Sequence, residues 1–259
     1  KALMGKEDWA FFEGSVDAYQ GRINEESIDR FIDGISSFVQ SVKPVPVVMI
    51  IVPNKTFIYD QFLPDIVSPS MQRHETISKL KNVNGLHLID LMEPIKNEPA
   101  QTFIKYDTHW NGWGAYVAYK EVINTLNQTF SWPLIIKKDI KEISETPCYE
   151  GDIVRMLGRQ GKLCEANNKV YFKKPHAKAI NKHFPTKAQI SDFKNPMGWG
   201  KVLVAHDSFM QHHLGRYMSE SFKEMINVWS FDFKKVAEYA DEVKPDFIMI
   251  QVVDRHIQK

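Results

Sequence analysis

Asp107 and His109 stand one residue apart in the stretch Tyr106-Asp107-Thr108-His109-Trp110-Asn111, just ahead of a helical pattern. In an extended segment, positions two apart share a side, so the carboxylate can reach an imidazole nitrogen. A carboxylate orienting an imidazole is half of a catalytic triad; what it lacks is a nucleophile. The same pair also reads as a helix cap beside a buried polar residue. Ser208 supplies the missing hydroxyl. The apolar run Val202-Leu203-Val204-Ala205 ends in His206-Asp207-Ser208 and passes straight into a predicted helix. Open α/β sheets gather ligands outside the carboxyl ends of their strands. The N-terminus of a following helix would offer backbone N–H groups to a developing oxyanion. Asp-Ser before a helix is equally an ordinary N-cap.

Around these turns stand further candidates, each with a bland alternative. Tyr106, Trp110 and Trp113 could stack on a sugar ring or simply cover the sheet end. Asn54 and Lys55 follow a strand, where Asn54 is a possible oxyanion donor or part of a plain turn. Arg255 follows the last strand and faces either the site or solvent. A rival chemistry uses Asp107, His109, His206, Asp207, His212 and His213 as metal ligands. No His-Glu-x-x-His is present, and His212 and His213 would point about a quarter turn apart on a predicted helix, so no metal is expected.

Positioning such residues is the work of an alternating pattern of elements. Trp9 to Phe12 followed by Gly14 reads as a short strand and turn, and Ser27 to Val42 carries Ile28, Phe31, Ile32, Ile35, Phe38 and Val39 at helical spacing. Val47 to Val52 is a continuous apolar strand ending at Pro53-Asn54-Lys55. A helix is predicted near Met71 to Lys81, a strand over Leu86 to Asp90 and a core-facing helix over Trp113 to Asn127. Residues 131–200 lack sustained periodicity and read as an irregular insertion. Regularity resumes with Lys201 to Phe209, a helix over about Met210 to Phe222, a strand over Ile226 to Phe231, a helix over Phe233 to Val243 and a strand over Asp246 to Val253. Strands alternating with helices predict an α/β fold with a parallel sheet covered on both faces.

The 259 residues suit one such domain with an insertion. With 33 Lys and Arg against 32 Asp and Glu, and no blocks of like charge, nothing points to nucleic acid or an anionic membrane. The longest apolar run, Val45 to Val52, is too short to span a bilayer. The chain opens on Lys1 rather than Met, which leaves room for an upstream signal or anchor.

The segments Tyr106 to Tyr116 and Val202 to Phe209 together resemble the alginate O-acetyltransferase family, the AlgJ/AlgX type of SGNH-hydrolase-like proteins. Gly5 to Gly14, Val52 to Pro64, Gly151 to Gly158 and Lys244 to Ile257 agree in the same order. The resemblance implies a flavodoxin-like SGNH domain whose triad runs in permuted order: Ser208 as nucleophile, His109 as general base and acid, Asp107 orienting His109. It departs at His206, where many relatives carry Gly. It implies O-acetylation of a bacterial exopolysaccharide through an acetyl-serine intermediate, with possible acetylesterase activity. It further implies no cofactor, an acetyl group handed over by a membrane-bound O-acyltransferase partner, a polysaccharide acceptor and a periplasmic location. Asp152 falls in the family's Gly-Asp-x-x-Arg-Met-Leu-Gly segment without a derivable role. The alternatives are a non-catalytic carbohydrate-binding or scaffold protein of an exopolysaccharide machinery and a metal-dependent hydrolase.

Cys148 and Cys164, the two cysteines of the chain, lie in the irregular stretch without C-x-x-C spacing. They could be independent buried thiols. The resemblance to a periplasmic family favours a disulfide, which would stabilise the insertion by roughly 3 kcal/mol in the chain-entropy model.

Overall fold

The computed structural model describes residues 1–184 and 190–257. Every residue of the strand Val47–Val52 is fully buried. Val48, Ile50 and Val52 join one apolar core while Val47, Met49 and Ile51 join another, because successive side chains of a strand point to opposite faces. A strand that feeds two cores has no polar face, so its sequence is apolar throughout instead of alternating.

In chain order the strands are β1 (Ala2–Met4), β2 (Ala10–Phe12), β3 (Val47–Val52), β4 (Leu86–Asp90), β5 (Ile140–Tyr149), β6 (Glu165–Phe172), β7 (Lys178–Ile180), β8 (Asp192–Lys194), β9 (Lys201–His206), β10 (Glu224–Val228) and β11 (Phe247–Val253). The central sheet has the order β4-β3-β11-β9-β10-β8-β7. Its first five strands are parallel, but β8 pairs antiparallel with β10 and with β7. The expected parallel sheet is found over these five strands, and the antiparallel β8 and β7 extend it into a mixed sheet. The stretch 131–200, read as an irregular insertion, holds regular elements: β7 and β8 widen the main sheet, and β5 and β6 form an antiparallel hairpin. These short or bulged strands carry too little alternation to be seen by periodicity, and residues 185–189 of the stretch lie outside the described residues.

The helices are α1 (Glu13–Tyr19), α2 (Glu25–Ser41), α3 (Lys55–Ile58), α4 (Gln72–Lys81), α5 (Met92–Lys96), α6 (Gly112–Phe130), α7 (Asp152–Met156), α8 (Gly215–Met218) and α9 (Phe233–Val243). Asn24 caps α2 by accepting from Ser27 N at 3.1 Å, and Phe31, Ile35, Phe38 and Val39 bury one stripe against the sheet beside Val236, Ala240 and Val243 of α9. On the opposite face α6 buries Ala115, Ala118, Tyr119, Val122, Ile123 and Leu126. Gly14 lies inside α1 and not in a turn. The expected helix from Met210 to Phe222 is broken: Met210–Leu214 form a wide turn, with His212 at ψ 75° and His213 at φ 74°, before the short α8. Among the described residues no helix is long and apolar enough to cross a membrane.

The register places the ends of three strands side by side. Val52 of β3 pairs with Val253 of β11, and Gln251 of β11 pairs with His206 of β9. Asn54, Arg255 and Ser208, each two residues beyond a paired position, thus leave the sheet on one rim.

Candidate active site

Ser208 and the Asp107–His109 turn come from opposite parts of the chain and meet at that rim. Ser208 Oγ donates to His109 Nε2 at 2.7 Å, and His109 Nδ1 donates to Asp107 Oδ1 at 2.7 Å. A charge-assisted bond at Nδ1 selects the tautomer whose Nε2 lone pair faces the serine hydroxyl. The arrangement can remove the Ser208 proton as Oγ attacks an acyl carbon, and Asp107 stabilises the imidazolium so formed.

Asp107 is held from every side. Its Oδ1 also accepts the His109 backbone N–H at 2.9 Å, and its Oδ2 accepts Asp152 N at 3.0 Å and the Tyr149 hydroxyl at 3.2 Å. Burial alone would raise its pKa, but the hydrogen bonds and charge of His109 and the Asp152 N–H hold it well below the usual carboxylate range. Asp152 in turn accepts Thr108 N at 2.7 Å and Thr108 Oγ1 at 2.6 Å, and its own carboxyl is pushed up by burial and by the Asp107 charge. A Cβ on Gly151 would stand 2.2 Å from Tyr106 O and 2.7 Å from Asp107 Cβ, so only glycine lets this backbone close on the turn.

The hairpin behind these contacts is stapled. Cys148 and Cys164 are disulfide-bonded with their Cα atoms 5.0 Å apart. The residues flanking the bridge are Tyr149, which holds Asp107, and Glu165, whose Oε1 accepts Tyr106 N at 2.7 Å. The cross-link therefore ties together two arms that grip the Asp107 turn.

Lys55 does not face a substrate, which corrects its assignment as a binding residue. It is buried, and its Nζ donates to the carbonyl oxygens of Ile104 (3.1 Å), Lys105 (2.9 Å) and Asp107 (2.6 Å). Burial pulls its pKa down to about 7 against the charges of Asp107, Glu165 and Asp152. Three carbonyls need three N–H donors, the full complement of an ammonium group. Its role is to fold the loop that carries Asp107.

Asn54 leaves the sheet on the same rim as Ser208 and keeps its side-chain N–H uncommitted. Arg255 Nη1 donates to Asn54 Oδ1 at 2.7 Å, and since a guanidinium only donates, the amide orientation is set. Asn54 Nδ2 is buried without a protein partner, while Asn54 N donates to Asp254 Oδ2 at 3.1 Å. A buried amide without a partner is costly unless a transient acceptor uses it. Arg255 is itself buried, with its guanidinium 5.5 Å from the Phe209 ring. Asn54→Ala is expected to lower kcat for an acetate ester by about 10²–10³-fold with KM little changed, the loss typical of one oxyanion donor. A wild-type kcat in that variant removes Asn54 from the site.

Asp207 anchors the serine turn and takes no part in the triad. Its Oδ1 accepts Phe209 N and Gln251 Nε2, both at 2.9 Å, and its Oδ2 accepts Val253 N at 2.8 Å and His256 Nδ1 at 3.2 Å. Burial opposes its ionisation, but these donors, His256 foremost, bring its pKa to about 2. His206 is fully buried, donates Nδ1–H to Asp207 O at 2.8 Å and meets the Trp229 ring edge-on.

For two of the three aromatic residues the structure favours the covering alternative over a sugar platform. Trp110 is fully buried, donates Nε1–H to His212 O at 2.7 Å and packs on Phe209. Tyr106 is buried with Ala10, Ile153 and Val154. Trp113 is half-buried on α6 beneath Lys120 and against Tyr116. Trp110→Ala is expected to destabilise the fold by about 3–5 kcal/mol, as emptying a buried indole site does. Denaturant unfolding measures it, and a change below about 1 kcal/mol would refute the packing role.

Sequence reasoning missed Tyr149 and Glu165, weighed His212 only as a metal ligand and gave Asp152 no role. Each acts on a turn 40 or more positions away, so no local spacing announces it. Oxygen and nitrogen donors of Asp107, His109 and Asp152 lie within 4.8 Å of one another, close enough to hold an ion, which makes a chelator control part of any activity test.

Residues 2–183 match the model of the family described as SGNH hydrolase-like domain, acetyltransferase AlgX. A probable alginate O-acetylase AlgJ of Pseudomonas syringae pv. tomato is 26% identical over 164 residues, covering 60% of this chain and 41% of that protein, so the chain spans less than half of that relative's length. The O-acetyltransferase domain of Pseudomonas putida AlgJ superposes with a TM-score of 0.70 at 16% identity over 99% of this chain and 92% of that one. Bacillus cereus PatB1 superposes with a TM-score of 0.75 at 17% identity over 99% and 97%. Pseudomonas aeruginosa AlgX gives 0.58 at 14% identity over 97% and 62%. At these identities the superpositions establish a shared SGNH hydrolase-like fold.

Proposed function

As this chain belongs to the family of SGNH hydrolase-like acetyltransferase domains typified by AlgX, we propose that it transfers acetyl groups to hydroxyls of a bacterial exopolysaccharide. The observation that carries this reading is the unbroken chain of hydrogen bonds from Ser208 Oγ through His109 to Asp107. In the first half-reaction Ser208 Oγ attacks the donor's acetyl carbonyl, His109 Nε2 takes the hydroxyl proton, and Asn54 Nδ2 donates to the oxyanion. Collapse expels the donor's leaving group, which receives the proton from His109 and leaves acetyl-Ser208. A sugar hydroxyl then attacks that ester as its proton passes to His109 and on to Ser208 Oγ, and the acetylated sugar departs. When water replaces the sugar the same steps release acetate, which makes acetylesterase activity a side reaction. No cofactor enters these steps. The donor would be a membrane-bound O-acyltransferase that passes the acetyl group on, and the Cys148–Cys164 bridge favours an extracytoplasmic, oxidising compartment.

The test uses an activated acetate ester and candidate oligosaccharides. Rapid quenching followed by peptide mapping is expected to find one acetyl group on the peptide carrying Ser208, and mass spectrometry a gain of acetyl groups on the acceptor. Loss of acetyl groups from an acetylated chain without any gain would make the protein an esterase. An unmodified Ser208 under turnover would overturn the mechanism.

A further inference from the structure

The break in the helix after Ser208 has a product: it lays the ring of His212 flat against His109, with centroids 3.8 Å apart and planes 10° from parallel. The break is backbone strain at a residue other than glycine, His213 sitting at φ 74° and ψ −37° beside His212 at ψ 75°. Such strain persists where surrounding contacts over-determine it. Here the contact is the Trp110 indole, buried and donating Nε1–H to the His212 carbonyl at 2.7 Å. Trp110 follows His109 directly, so one short stretch supplies both the base and the clamp on the ring that covers it.

The edge of His109 is occupied by Asp107 at Nδ1 and Ser208 at Nε2, with Asp152 Oδ2 3.9 Å from Nδ1. Those in-plane bonds do not stop the ring tilting about its own edge; a flat neighbour does. Resting on the function proposed above, we infer that His212 is a positioning residue: stacked on His109, it keeps the base in the plane joining Asp107 to Ser208 and supports the imidazolium formed in each half-reaction. An uncharged aromatic face beside a cation is attractive, whereas a second cation would repel it. Burial, and the neighbouring His109, bring the pKa of His212 down to about 4, so it stays neutral where a serine hydrolase works. His213, whose pKa burial and Lys169 lower to about 4, adds no positive charge beside it.

The comparison is between His212→Ala, which removes the face, and His212→Phe, which keeps a flat uncharged ring. On an activated acetate ester His212→Ala is expected to lose about tenfold in kcat with KM within about twofold, while His212→Phe stays within about threefold of wild type. Burst titration of acetyl-enzyme corrects each rate for the active fraction, so partial unfolding cannot imitate the effect. Wild-type kcat in His212→Ala, or equal loss in both variants, overturns the inference. The function proposed above fails separately, when the wild type shows no turnover that depends on Ser208. In that event the same variants are read by nitrogen NMR of His109: one sharp Nδ1–H tautomer in wild type and His212→Phe, exchange-broadened in His212→Ala. Identical spectra in all three overturn the stacking role.

Discussion

Ser208→Ala is expected to abolish hydrolysis of an activated acetate ester, with kcat falling on the order of 10⁶-fold, the scale on which a triad serine acts. The hydroxyl is half-buried and bonded to His109 Nε2. Its removal takes from the buried His109 its protein partner at Nε2 but empties only a half-buried position, so the variant should fold, and a thermal melt checks this. His109, Asp107 and the Asn54 side-chain N–H remain, so a small residual rate above that in water should persist. The same assay run in EDTA separates the rivals. Wild-type turnover that survives the chelator and vanishes in Ser208→Ala identifies serine chemistry. Turnover that survives Ser208→Ala and disappears in EDTA would assign the reaction to an ion held by Asp107, His109 and Asp152. A wild type inert towards both ester and oligosaccharide would favour a carbohydrate-binding or scaffold role.

Asp107→Asn should be the next most damaging change, with kcat reduced by about 10⁴-fold in a folded protein. Four donors converge on this carboxylate, two at each oxygen. An amide can present only one oxygen, so its NH₂ must face either His109 or the pair formed by Asp152 N–H and the Tyr149 hydroxyl. Facing His109, it drives the ring proton to Nε2 and points a donor, not a lone pair, at Ser208. Facing Asp152, it leaves a backbone N–H opposed. In both orientations the negative charge that stabilises the imidazolium is gone. Steady-state kinetics with a thermal melt measures the effect, and an unchanged kcat would exclude Asp107 from the mechanism.

Local pattern was enough for much of the scaffold. The apolar run of β3 needed no partner to be identified, because a strand buried on both faces has only apolar residues to show. The stripes of α2 and α6 follow from helical period in the same way. The types Ser208, His109 and Asp107 were also legible, since each lies in a short, distinctive turn. Tertiary structure decided which side chains face the chemistry and which support it. Trp110 and Lys55 look like ligand residues in a linear reading, yet one is core and the other folds the Asp107 loop. The helix drawn through His212 and His213 failed because the Trp110 bond and the stack on His109 outweigh helix propensity there. The grip of Tyr149, Asp152 and Glu165 on the Asp107 turn joins segments 40 to 60 residues apart through a stapled hairpin. Periodicity records the environment a segment meets along its own length, whereas these contacts depend on how the β5–β6 hairpin folds back over the rim where β3, β9 and β11 end.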